Sequence, residues 1–479
     1  MSVLDAVFVA TASLTLAYFV CLNAVYGAFT LVAARSLRSH LRRRAYAGLE
    51  EAFDSPFTPG ISVILPAFNE SAGIVESVRS LLALRYPLFE ILVVNDGSTD
   101  DTVERLRGAF DLAPARRALR DAIATKPVRS TLVSRRHHNL WLIDKANGGK
   151  ADALNAGINA ARHPYVCAID ADALIESDAL LEVAAPILDD PERVVATGGI
   201  VRIANGCTID HGRVVDVRLP ASRLAVVQVV EYFRAFLVGR VGWTSLNALL
   251  IISGAFGLFR RDAVEEVGGW WTETVGEDVE LVVRIHRHFR SRGLPYRVAF
   301  VPDPVCWTEA PEDLRGLSRQ RRRWHRGLGQ TLWRHRRAIG NPRYGAFGLI
   351  GLPYFLLFEF LGPIVEVFGP PLTIAAFLLG KLSLLFLVAF LVIAFLLGIA
   401  LTTAALALEE FNFRRHAHGR DVLRMLAYAV LENIGYRQLN DAWRLLALLD
   451  LARREQGWGT QVRRGIGRRP AGHEEQVGV

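Results

Sequence analysis

Polar positions are sparse between Val3 and Ala34, where Asp5 and scattered small residues are the main interruptions, so this stretch can cross a hydrocarbon core of roughly 30 Å as one helix. Charge follows it, as RSLRSHLRRR from Arg35 to Arg44, and no basic leader precedes it. That order predicts a spanning helix rather than a cleaved signal, with the residues after it on the cytoplasmic side. Between Gly60 and Arg343 short β-branched runs alternate with helical stretches, the signature of an α/β fold with a mixed, mostly parallel sheet covered by helices. ISVILPAF, FEILVVND and YVCAID read as strands, and Ala72 to Leu84, Thr102 to Phe110 and Lys150 to Ala161 as helices. A second apolar region opens at Ala346, breaks near Gly380 and Lys381, and ends in the basic FRRHAHGR, Phe413 to Arg420. Basic flanks at both ends require an even number of crossings; two are expected, with four the alternative. Within it Glu359 and Glu366 lie one heptad apart on a helix face, so they should meet protein, a watery path or the interface rather than lipid.

From Val422 to Leu451 charged residues punctuate an apolar pattern, which suits amphipathic helices lying on the membrane surface. The expected layout is a transmembrane helix (1–35), a basic linker (36–59), an α/β domain (60–343), transmembrane helices (344–410), interfacial helices (411–462) and a flexible tail (463–479). Ala204 to Pro220 reads as a surface hairpin inserted in the α/β domain.

Composition refines this layout. The chain has 479 residues, 51% of them hydrophobic, and a net charge of +8. Much of that charge flanks apolar segments, where anionic lipid accounts for it, and no nucleic-acid partner is expected. Cys21, Cys167, Cys207 and Cys306 are too far apart for a metal-ligand motif or a disulfide framework, which fits a reducing compartment.

The chemistry concentrates where strands end. VVNDGSTDD carries Asp96 to a turn, where it could bond a base or ribose; an ordinary turn with a helix cap would explain the same residues. In CAIDADAL, Asp170 and Asp172 follow a buried strand, and two like charges so close call for a divalent cation bridging to a diphosphate. KANGGKADALNAG sets Lys145 and Lys150 around a glycine turn that opens a helix, a natural place for phosphate oxygens. Neither a P-loop nor a dinucleotide Gly-x-Gly-x-x-Gly fingerprint is present. In TVGEDVEL, Glu277 and Asp278 could supply a general base, or merely favour a helix N-terminus. Finally, RQRRRWHRG crowds arginines around Trp324 and His325.

Taken in order, VILPAFNE, VVNDGSTDD, KANGGKADALNAG, AIDADAL, SGAFGLFRRDAVEEVGGW, GEDVEL and QRRRW resemble the membrane-embedded family 2 glycosyltransferases, such as poly-N-acetylglucosamine, hyaluronan and cellulose synthases. The resemblance implies a GT-A-type nucleotide-sugar-binding domain and assigns roles motif by motif. Asp96 would contact the uracil, with Ala67, Asn69 and Glu70 in the neighbouring nucleotide pocket. Asp170 and Asp172 would hold Mg2+ or Mn2+ on the donor diphosphate, beside a phosphate-side Lys150. Asp278 would be the base and Glu277 its partner; Gly276 replaces the threonine of several relatives. Gln320, Arg323 and Trp324 match the Gln-x-x-Arg-Trp acceptor motif of processive members, leaving Arg321, Arg322, Arg326, Arg334, Arg336 and Arg337 to meet anionic lipid. The implied enzyme is an inverting, multi-pass transferase of the cell membrane with a cytoplasmic catalytic domain. It would use a UDP-sugar, N-acetylglucosamine before glucose, to extend a β-linked polysaccharide, coupled to export and to export-complex subunits. Single transfer to a lipid or polyprenyl-phosphate acceptor is the alternative, and a non-catalytic nucleotide-sugar sensor the alternative from another class.

Overall fold

The computed structural model describes residues 3–46, 55, 58–210, 212–413 and 419–453. The expected flexible tail (463–479) and residues 47–54, 56 and 57 of the expected basic linker (36–59) lie outside them. What is described of that linker is helix: α1 runs unbroken from Val3 to Tyr46. The basic run contains no proline or glycine, and arginine and leucine propagate a helix well. Its far end is tied to the α/β domain, where His40 Nε2 sits 2.5 Å from Oδ2 of buried Asp303.

Twelve strands follow: β1 (Ile61–Ala67), β2 (Phe89–Asn95), β3 (Leu112–Pro114), β4 (Val128–Ser134), β5 (Leu140–Lys145), β6 (Tyr165–Ile169), β7 (Ala173–Ile175), β8 (Val194–Ile203), β9 (Thr208–Asp210), β10 (Arg213–Asp216), β11 (Phe256–Arg260) and β12 (Arg297–Thr308). Ten form one mixed sheet in the order β3-β4-β5-β2-β1-β6-β11-β8-β12-β7. Its centre, β5-β2-β1-β6, is parallel. These strands are near-continuous apolar runs because helices cover both faces; every residue of β1 and β6 is buried. β9 and β10 form the separate hairpin expected between Ala204 and Pro220.

The helices that matter for the site are α2 (Ile74–Leu82), α3 (Thr102–Phe110), α4 (Lys150–Ala160), α5 (Arg223–Phe233), α6 (Glu277–Arg292) and α7 (Leu314–Arg334). α4 is rich in small residues and lies close against β1: a Cβ added at Gly157 would fall 2.3 Å from Ile64 Cγ2. After α7 come α8 (Gly362–Leu378), α9 (Leu384–Phe413), α10 (Gly419–Leu431) and α11 (Arg437–Ala452). Among the described residues two helices, Asp5–His40 within α1 and Leu384–Phe413, are long and apolar enough to cross a membrane. Phe347–Phe360 and α8 make a third candidate bent by 49° at the Leu361 to Pro363 corner.

The acids inside this apolar bundle face protein. Glu366 is buried and takes both Nε and Nη2 of Arg437, at 2.5 and 3.0 Å, and the Tyr18 hydroxyl at 2.7 Å. Glu359 meets Arg444 at 3.2 Å, and Arg444 also reaches Asp441 at 3.1 Å. These contacts tie α11, within the 411–462 segment, to the rest of the bundle. The charged face of α11 turns inward because opposite charges meet it there: Arg322 of α7 pairs with Asp450, Glu366 of α8 with Arg437, and Glu359 with Arg444.

Candidate active site

Parallel strands deliver their carboxyl ends to one edge. Ala67 of β1 pairs with Asn95 of β2, and Asn95 with Asp144 of β5, so the following loops rise side by side. The loop after β1 turns at Asn69, whose φ of 55° is tolerable for asparagine. Asn69 Oδ1 accepts from Thr99 N at 2.8 Å, its own N–H donates to Ser98 Oγ at 3.0 Å, and Glu70 N donates to Thr102 Oγ1 at 3.0 Å. Asp96 N donates to Ala67 O at 2.9 Å. The structure thus brings Ala67, Asn69, Glu70 and Asp96 together.

Asp96 is built into its turn rather than displayed. Its Oδ1 accepts from Lys145 Nζ at 2.6 Å and Gly148 N at 3.0 Å, and its Oδ2 from Gly149 N at 2.7 Å. The second carboxylate on Lys145 is Asp152, at 2.5 Å. With no exposed surface and two acids flanking it, Lys145 is a structural cation, and its expected role toward phosphate is corrected here.

Lys150, one turn further, faces the other way. Its Nζ lies 2.5 Å from Asp170 Oδ1 and 3.2 Å from Glu277 Oε1. Burial works against its charge, yet Asp170 and Glu277 hold the ammonium well above its usual range. Asp278 completes the cluster: Oδ2 accepts from Gly254 N at 3.2 Å, and a Cβ added at Gly254 would lie 3.0 Å from Lys150 Nζ and 3.5 Å from that same oxygen. Gly254 reaches this edge because β11 runs antiparallel to β6, with Phe256 opposite Ile169. Burial, reinforced by Asp170, pushes the Asp172 carboxyl up to about 7. Burial also raises Glu277, with Lys150 opposing and Asp278 adding to the rise.

Among the described residues no group of three or more His, Cys, Asp or Glu side chains could hold a metal ion. Asp170 and Asp172 offer two carboxylates, which fits a divalent cation whose other ligands are water and a diphosphate.

The arginine-rich helix α7 docks directly on the acid turn. A Cβ added at Gly276 would lie 2.8 Å from Gly327 Cα, so the glycine that departs from the family pattern is matched by a second glycine on α7. Gln330 Oε1 fixes the contact, accepting from Thr274 Oγ1 at 2.9 Å and Val275 N at 3.1 Å. Gln320, Arg323 and Trp324 lie on the same helix, one to two turns before Gly327. Trp324 is 42% exposed, and Gln320 Oε1 is buried without a hydrogen bond.

Their arginine neighbours correct the lipid expectation. Arg321 is buried and bidentate to Glu231, both contacts at 2.7 Å; Arg322 Nε donates to Asp450 at 2.7 Å; Arg326 is buried. Arg334 lies 3.6 Å over the Trp271 ring yet stays exposed, as do Arg336 and Arg337.

Two family models fall on this architecture. Residues 62–123 match the glycosyl transferase family 2 model and residues 165–402 match glycosyl transferase family group 2, together more than half of the chain. The chain belongs to glycosyltransferase family 2. Within that family it is 31% identical over 278 residues to a poly-β-1,6-N-acetyl-D-glucosamine synthase of Staphylococcus epidermidis, covering 57% of this chain and 56% of that one. It is 30% identical over 319 residues to the synthase of the same name from Staphylococcus aureus strain COL, covering 66% and 64%. The chain thus spans between about half and two thirds of the length of these relatives. A mannosyltransferase from Pyrobaculum calidifontis, solved with GDP-Man and Mn2+, shares the family fold with a TM-score of 0.50 at 20% identity, covering 91% of this chain and 99% of that one. Motif reading held Gly254 only as part of SGAFG, and missed Gln330 and Gly327 as the dock for α7. Gly327 closes RQRRRWHRG and Gly276 opens GEDVEL, so two glycines in adjacent motifs were the available signal.

Proposed function

We propose that this chain is a membrane-bound, inverting glycosyltransferase that adds N-acetylglucosamine from a UDP-sugar to a growing β-linked polysaccharide. The observation that carries the reading is the meeting of Asp170, Lys150, Glu277 and Asp278 around Gly254, with the Gln-x-x-Arg-Trp helix docked on the same turn through Gly276 and Gly327. The names of the staphylococcal relatives support the sugar and the polymer.

In this reading the nucleotide lies along the loops after β1 and β2, with Asp96 organising the glycine turn beneath it. Asp170 and Asp172 would hold a divalent cation, which supplies charge neutralisation for the departing diphosphate. Lys150 adds a fixed positive charge on that side. Asp278 accepts the proton of an acceptor hydroxyl as its oxygen bonds to the anomeric carbon, while the bond to the diphosphate breaks and its electron pair leaves with UDP. A single displacement turns an α-linked donor into a β-linked product. Glu277, beside Lys150, orients that lysine. Trp324 offers an indole face to the acceptor sugar, and Gln320 an unused hydrogen-bond acceptor. The apolar helices support placement in a membrane, and the basic run after α1 supports a cytoplasmic catalytic domain; the polymer would leave between those helices.

The test is a donor screen on the purified full chain with Mg2+ or Mn2+, followed by digestion of the product with linkage-specific hydrolases. UDP release and polymer from UDP-N-acetylglucosamine alone are expected; binding of donors without turnover would favour a sensor. Trp324→Ala should stop polymer growth while leaving UDP binding intact.

A further inference from the structure

Asp170 and Asp172 stand on a tight turn. Ala173 N donates to Asp170 O at 3.0 Å, so Ala171 and Asp172 are the two central residues. The peptide between them can face either way in such a turn, and its direction decides how the second carboxylate leaves the backbone. Reversing it would require a positive φ at Asp172, and Asp172 has none. Because a peptide is a rigid plane, a group that holds the Ala171 carbonyl also fixes the amide of Asp172.

That carbonyl has a donor from another element. Ser77, in the middle of α2, is 3% exposed and gives its hydroxyl to Ala171 O at 2.6 Å. A helical serine commonly bonds back to its own helix, as Ser80 does to Ser77 O at 2.7 Å; Ser77 reaches across to the acid turn instead. The helix that delivers it is held at both ends and along its side. At its start, Ile74 N donates to Glu70 O at 3.0 Å, which ties α2 to the loop after β1. Beyond its end, Arg85 N donates to Ser177 O at 2.7 Å, just past β7. Between the two, the β9–β10 hairpin rests on the helix backbone: a Cβ added at Gly212, where φ is 76°, would lie 2.9 Å from both Glu76 O and Ser80 N. A braced helix can therefore impose one direction on a turn that has two.

We propose that Ser77 is a positioning residue for the divalent cation: through Ala171 O it locks the central peptide of the Asp170–Ala173 turn, and so sets how the two carboxylates converge on one ion. The inference rests on the metal assignment in the transfer reaction proposed above. It is tested with the full chain in nanodiscs by Mn2+ binding at saturating UDP, followed by electron paramagnetic resonance, and by calorimetry of UDP without metal. UDP release from UDP-N-acetylglucosamine is measured beside them as Mn2+ is titrated. Ser77→Ala should weaken Mn2+ binding about five- to tenfold and raise the half-maximal Mn2+ concentration for UDP release by the same factor. Metal-free UDP binding should change less than about twofold, and kcat should recover at saturating Mn2+. Ser77→Thr, which keeps the hydroxyl, should bind Mn2+ nearly as the wild type does. Ser77→Cys, close in size but a weak donor, takes the place of the alanine variant if that one does not fold. Unchanged Mn2+ affinity in the alanine variant would overturn the proposal, as would an equal loss of metal-free UDP binding or a threonine variant as weak as alanine. Asp170→Asn should abolish Mn2+ binding; binding retained there would remove the metal assignment itself, a separate failure.

Discussion

In the transfer cleft, Asp170 and Glu277 share Lys150 while Asp278 accepts backbone N–H groups; between the helices beyond it, Glu231, Glu359, Glu366 and Glu432 each meet an arginine. Both regions are rich in buried charge. The second is complete as it stands, and substitution there should act on folding. The first is acid-rich and short of cations, a state that a metal-bound diphosphate and a hydroxylic acceptor would relieve. The balance of charge, more than its burial, separates machinery from scaffold.

The strongest test of that contrast removes the base. Asp278→Asn should lower transfer by about 10²–10⁴-fold while preserving UDP binding, read by UDP release and calorimetry; retained transfer would remove Asp278 from the mechanism. On the scaffold side, Arg437→Met strands Glu366 and should cost about 3–5 kcal/mol in denaturant unfolding of the detergent-solubilised protein. Adding Glu366→Leu should recover most of that loss, and no recovery would mean the pair does more than neutralise itself. Arg321→Ala should behave like Arg437→Met, through the abandoned Glu231.

Smaller again is a pH effect at His286, which is buried between the Tyr296 hydroxyl and the Leu249 carbonyl, 2.6 and 2.9 Å away. Burial lowers its pKa to about 4, so the unfolded chain takes the proton first as pH falls. Stability should be level above about pH 6.5 and decline by about 3 kcal/mol toward pH 4, a slope that His286→Asn should flatten in melting curves across pH. At the bottom of the scale, Arg105→Ala removes an exposed i,i+4 pair with Asp101 and should leave the melting curve unchanged.

Local features were readable from residue order. The helix Thr102–Phe110 has the bounds expected, with Thr102 N donating to Asp100 Oδ1 at 3.1 Å, and α4 starts one residue after a glycine with φ 88°. Strands with unbroken apolar runs announced their acids because the chain must turn where the run stops. Long-range pairing was not readable. The partners of Arg321 and Arg322 lie 90 and 128 residues away, so a basic run that looked like a membrane surface is an interior seam.

The unbroken α1 has a mechanical consequence. Its 44 residues make a rod about 66 Å long, about twice what a bilayer core requires. The surplus, pinned by His40 against Asp303, works as a strut that sets both the height and the rotation of the catalytic domain relative to the bundle. Four residues inserted between Arg35 and His40 would lengthen the strut by about 6 Å and twist it by about 40°, so that the bundle and the cleft would no longer be in register.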